Sequence, residues 1–172
     1  MKHSTGFTLV ELMLTLTVVA ILLAVAVPSY RSFVQSNRAA AQANAVLRAL
    51  TYARSEAVKR AAVVTICQSG DQSSCAGSKT AWANGWIVFS DVDLDGALDA
   101  GTDSLLRVGS GLSSGSTLTA GTDFIRYAAS GAALDTTQFT LDAVPAECQV
   151  EMRRLIAVTP SGQVTIQNAS CP

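Results

Sequence analysis

From Phe7 to Val27 the chain is an apolar run in which Glu11 is the only ionisable side chain. The run is about 20 residues long, enough to cross the hydrocarbon core of a bilayer as a helix. A carboxylate at that depth costs roughly 2.5 to 3.5 kcal/mol on insertion scales, so a partner for it is expected. Cleavage after Gly6 would supply one, because Phe7 would then carry a free ammonium group one helical turn from Glu11. Two other readings compete. A secretory signal peptide would have a shorter apolar region followed by a small-residue cleavage site, which Ala24, Ala26 and Pro28 could mimic. A plain single-span anchor would keep its leader.

Lys2, a short polar leader and the string Gly6-Phe7-Thr8-Leu9-Val10-Glu11 ahead of a long apolar helix resemble the N-terminus of type IV prepilins and type II secretion pseudopilins. The resemblance implies that a prepilin peptidase cuts between Gly6 and Phe7 and methylates the new Phe7 amine. Phe7 and Glu11 then become the assembly residues. In the membrane Glu11 either neutralises its own N-terminus or is protonated, since desolvation disfavours the charged form. In a filament the same carboxylate meets the Phe7 ammonium of a neighbouring subunit.

The 172 residues give a prior of one domain, with about 110 left after the helix to build a core. Hydrophobic residues make up 49% and charged residues 15%, the apolar excess lying at the N-terminus. Loss of the leader removes Lys2, taking the formal charge from -1 to -2, which leaves no global electrostatic footprint for nucleic acid. All four cysteines follow the apolar run. An even number in an exported segment argues for two disulfides, of three possible connectivities. The pairing expected is Cys67 with Cys75 and Cys148 with Cys171, each holding a local loop or the C-terminal tail. Zinc is disfavoured, because there is no C-x-x-C pair and His3 is the only histidine.

Along the chain, residues 1–6 read as leader, 7–28 as the membrane and filament-core helix, 29–62 as an amphipathic helix and 63–172 as a strand-rich head. Pro28 should kink the helix. Beyond it Ala43, Val46, Leu47, Leu50, Ala57 and Ala61 recur at helical spacing, with Gln42, Arg48, Arg54, Glu56, Lys59 and Arg60 mostly on other faces. That stripe is expected to lie on a sheet. Strands are expected at 63–68, 85–91, 104–108, 124–128, 138–141, 148–158 and 163–167, with Thr159-Pro160-Ser161-Gly162 turning a hairpin. The Gly/Ser/Thr-rich segment 109–121 reads as a mobile loop or a poorly ordered edge. A long helix packed on an antiparallel β-rich head is an α+β arrangement.

The head carries a second resemblance. Gly85-Trp86-Ile87-Val88-Phe89-Ser90-Asp91, then Asp93, Asp95 and Gly96, Leu105-Leu106-Arg107, and Arg154-Leu155-Ile156-Ala157-Val158 with Ser161-Gly162 resemble the FimT/GspH family of minor pilins and minor pseudopilins. The disulfide-bearing C-terminus is most similar to the FimU type. The resemblance implies a type IV pilin fold, other major and minor pilins or pseudopilins as partners, the inner membrane before assembly, and the pilus fibre afterwards. It also implies three functions to separate: type IV minor pilin, type II secretion minor pseudopilin, and DNA-uptake pilin. Some FimT relatives bind DNA through a C-terminal G-R-x-R motif. Here the corresponding Gly162-Gln163-Val164-Thr165 lacks both arginines, so DNA is not an expected partner.

One further constellation is acidic. Asp91, Asp93, Asp95 and Asp99, with Gly96 at the sixth position, match the start of an EF-hand-type calcium loop. Position twelve is Thr102 rather than a bidentate Glu, although Asp103 follows. The competing reading is a turn in which Asp side chains cap backbone amides. No other cofactor is expected. Arg153 and Arg154, adjacent on a strand, point to opposite faces and form no patch by themselves. Trp82 and Trp86 are expected to bury on and beside a strand. Catalysis is not expected, since cleavage at Gly6 leaves no histidine as a general base.

Overall fold

The computed structural model describes residues 8–113, 115–142 and 153–170. The leader, Phe7, Cys148 and Cys171 lie outside them, so the cleavage site and the Cys148–Cys171 pairing have no structural account here. The chain divides into two units, Met1–Gln35 and Ser36–Pro172.

Helix α1, Leu9–Arg60, runs uninterrupted through Pro28. In the second unit its buried residues are Ala39, Gln42, Ala43, Val46, Ala49, Leu50, Ala53, Glu56 and Ala57. Their three- and four-residue spacing makes one narrow stripe rich in alanine, which lets the helix backbone approach the strands closely. Two members depart from the expectation that polar residues face away. Gln42 donates from Nε2 to Ser113 Oγ. Glu56 is held by Lys59 at 3.1 Å and Arg60 at 2.9 Å, so its charge is compensated within the last turn of the helix. Leu47 is only half-buried, and Ala61 is exposed and lies beyond the helix.

The helix stops in a Schellman arrangement. Ala62 N donates to Ala57 O and Ala61 N to Val58 O, with Ala61 at φ 50 in the left-handed region where glycine is usual. Lys59 and Arg60 sit where cations favour the carbonyl end of a helix.

Among the described residues eight strands follow: β1 Val64–Gln68, β2 Gly85–Ser90, β3 Ser104–Ser110, β4 Thr117–Ala120, β5 Phe124–Tyr127, β6 Thr137–Asp142, β7 Arg153–Val158 and β8 Val164–Ala169. They form two four-stranded antiparallel sheets, ordered β3-β2-β1-β5 and β4-β6-β7-β8. The expectation of one sheet beneath the helix is therefore corrected to two. Of the segment expected as a loop or an edge, 109–110 finish β3 and Thr117–Ala120 form β4, an edge strand of the second sheet. Its Leu118 is fully buried, and that one side chain anchors a segment whose composition reads as loop.

The α1 stripe meets residues of both sheets in one core, including Val64, Ile66, Trp86, Val88, Tyr127, Phe139, Leu141 and Ile156. Trp82 is buried edge-on to Phe139 at 4.9 Å between ring centroids and donates from Nε1 to Thr122 O. A smaller cluster, Cys67, Ile87 and Phe89, covers the other face of the first sheet. Cys67 and Cys75 are joined by a disulfide that closes the loop after β1. The β7–β8 hairpin turns at Thr159–Gly162, where Gly162 N donates to Thr159 O and Gly162 takes φ 77.

Candidate assembly site

The N-terminal turn of α1 is set by Thr8. Its hydroxyl accepts from the backbone N of Glu11 at 3.2 Å, while its carbonyl accepts from Leu12 N at 3.1 Å. Thr8 is thus the N-cap and Glu11 the third helical residue, the T-x-x-E spacing of a capping box of which the threonine half is made. No role for Thr8 is assigned from the sequence above, though its four-residue signature with Glu11 is legible there. The cap fixes where the helix begins, and so fixes Glu11 in the first turn.

From Leu9 to Val27 every residue is exposed, and Leu9, Leu12, Ile21, Leu22 and Val25 are each more than half accessible. The stretch is long and apolar enough to cross a membrane. Its other polar side chains are satisfied internally. Thr15 Oγ1 donates to Leu12 O at 2.9 Å and Thr17 Oγ1 to Met13 O at 2.6 Å, as hydroxyls do in an apolar medium. The Glu11 carboxylate has no hydrogen-bond partner among the described residues. A surface of this kind calls for lipid, or for other helices, around it.

In the head, the acidic loop forms around Asp91, which is 1% exposed and accepts from Thr65 Oγ1 at 2.6 Å and from Leu94 N at 2.7 Å. Asp95 caps Ala97 N, and Asp103 accepts from both Val92 N and Asp99 N. Leu94 and Gly96 both take positive φ. Asp91, Asp95 and Asp103 therefore cap the amides of their own turn. The geometry also regroups the expected quartet: Asp91 and Asp93 converge with Asp103, while Asp93 and Asp95 converge with Asp99. Repulsion from Asp95, together with burial and the other nearby carboxylates, raises the Asp99 pKa.

The basic residues are dispersed. Arg153 pairs with Asp142 at 2.8 Å and Arg126 with Asp135 at 2.9 Å. Arg154 is buried on the opposite face of β7 from Arg153. Arg54 of α1 donates to Gly131 O at 2.9 Å and to Ser161 O at 3.2 Å, tying the helix to two turns of the head.

A long helix with a bare apolar N-terminal stretch, packed further along on two antiparallel sheets, defines the type IV pilin fold. Among solved structures, the type IV minor pilin FimU of Pseudomonas aeruginosa is similar at TM-score 0.61 and 20% identity, over 81% of this chain and 99% of that one. A second crystal form of FimU gives 0.54 and 22%, over 78% and 98%. The minor pseudopilin EpsH from the Type 2 Secretion System of Vibrio cholerae gives 0.52 and 11%, over 76% and 97%. Curated protein sequences give no match. Residues 42–162 match the family described as type II transport protein GspH, and residues 1–27 match the prokaryotic N-terminal methylation motif. The chain belongs to the GspH family, a family of minor pilins and pseudopilins.

Proposed function

We propose that this chain is an inner-membrane prepilin, cut after Gly6 and methylated on Phe7 by a prepilin peptidase, that becomes a minor pilin helping to initiate a type IV pilus at its tip. The observation that carries this reading is the exposed apolar stretch of α1 with Glu11 held in its first turn by the Thr8 cap. In the bilayer the stretch stores the subunit with its head in the periplasm. In the filament it packs against like helices, and Glu11 pairs with a neighbour's Phe7 ammonium. A shared helix admits unlike subunits to one helical array, while a distinct head restricts where each one fits. Such a role needs no catalytic group and no cofactor.

The test is Glu11→Ala in the producing cell. The variant is expected to insert and be cleaved but to be missing from the sheared pilus fraction. Normal incorporation would overturn the pairing role. A minor pseudopilin of a type II secretion system is the second reading, supported by the family description and by the likeness to EpsH. It predicts loss of protein export, with pili retained, when the chain is deleted. DNA uptake has less support, because Arg126 and Arg153 are already engaged by carboxylates.

A further inference from the structure

Strand β3 ends the first sheet and pairs with β2 alone among the described residues. Its other edge presents backbone donors and acceptors over Ser104–Ser110. The register sets its two faces. Val108 lies opposite Ile87 and Leu105 opposite Phe89 on the side away from α1, where they are 39% and 46% exposed. Arg107 lies opposite Val88 on the helix side and stacks over Tyr52 of α1 at 4.9 Å.

Between β3 and α1 runs a cleft in two adjoining parts of 190 and 280 Å³, which share Ala45 and Ser110. Arg48 and Arg107 line the first part and Arg38 the second. None of the three has a carboxylate partner among the described residues. Gln42 borders the second part, with Oε1 buried and without a hydrogen bond among the described residues. A strand edge left open by the described residues, an apolar outer face and three arginines with no carboxylate partner among them thus lie side by side. Most of the head's other arginines are neutralised internally.

We propose that this edge receives an extended segment of a partner subunit, added as a fifth strand, in which apolar side chains alternate with acidic ones. Side chains of an added strand alternate between faces. Apolar residues would cover Leu105 and Val108, and carboxylates on the other face would meet Arg107 and Arg48, with Arg38 further along the cleft. The backbone of β3 supplies affinity and the alternation supplies selectivity. Until the segment arrives, Arg107 keeps the edge from pairing indiscriminately. A phosphate polymer could use the arginines but would leave the backbone edge and the apolar face unmatched. The inference rests on the chain being an assembling subunit, but its test does not depend on incorporation into a pilus.

The full chain in detergent would be titrated with a labelled peptide matched in length to β3 and alternating valine with glutamate. A valine–lysine peptide of the same length and a single-stranded oligonucleotide serve as competitors. The valine–glutamate peptide is expected to bind saturably, to weaken with salt, and to protect the 104–110 amides from hydrogen exchange. R48E/R107E should weaken it by about tenfold or more. Leu105→Lys with Val108→Lys, both partly exposed, should weaken it while sparing the melting temperature. Equal binding by the lysine peptide, displacement by the oligonucleotide, or protection confined to other strands would each overturn the proposal. Incorporation of the wild-type chain into pili alongside absent peptide binding would reject this edge and leave the assembly reading intact.

Discussion

Gly162 has no room for a side chain. A Cβ built there would lie 2.0 Å from Gly131 O and 3.0 Å from Arg54 Nε, and φ is already 77. Gly162→Ala is therefore expected to cost about 2 kcal/mol or more, read as a lowered Tm of the full chain in detergent. Arg54→Ala leaves the carbonyls of Gly131 and Ser161 without their donor, and about 1 to 3 kcal/mol is expected. Ala61 is the opposite case. It holds a left-handed cap position without being glycine, so Ala61→Gly should raise stability by about 0.5 to 1 kcal/mol in the same measurement. Glu56 links stability to pH. Hydrogen bonds from Arg60 and Lys59 hold its pKa below the usual carboxylate range. A depressed folded-state pKa means its contribution is fully present above the unfolded-state pKa and is lost as pH falls through the lower folded one. Glu56→Gln should flatten the fall in Tm below the unfolded-state pKa, and an unchanged profile would contradict the linkage.

At the scale of elements, two loops hold the first sheet at its ends. After β1, Asp71 accepts from Ser69, Ser73 and Ser74 inside the loop closed by Cys67 and Cys75, and these hydrogen bonds hold its pKa well below the usual carboxylate range. Removing the disulfide with Cys67→Ser and Cys75→Ser should cost about 2.5 kcal/mol in the chain-entropy account, measured by denaturant unfolding. Between β2 and β3, Asp91, Asp95 and Asp103 already serve the amides of their own turn, so millimolar calcium is expected to leave Tm unchanged. A rise in Tm with calcium but not with magnesium would assign the loop to a metal instead. The elements also show why part of the fold escaped sequence reading. The β7–β8 hairpin was legible because proline and glycine mark its turn. Strand β4 was not, because Thr117, Thr119 and Ala120 give no alternation and only Leu118 reports burial.

For the whole molecule, the N-terminus offers the most direct measurement. Mass spectrometry of the protein recovered from the pilus fraction is expected to find a chain starting at Phe7 with one added methyl group. A chain starting at Met1, or one lacking the whole apolar run, would remove the filament reading. The sequence by itself determined the apolar run, its single carboxylate, and the change from helical to strand periodicity after the helix. Those are local properties, carried by side-chain hydropathy and by spacing along one chain. Tertiary structure decided that Gln42 and Glu56 belong to the buried stripe, that the strands split into two sheets, that Asp103 joins Asp91 and Asp93, and that β3 is left with an open edge. Each of these depends on which distant residues arrive opposite one another, and sequence spacing carries no information about partners until the strands have paired.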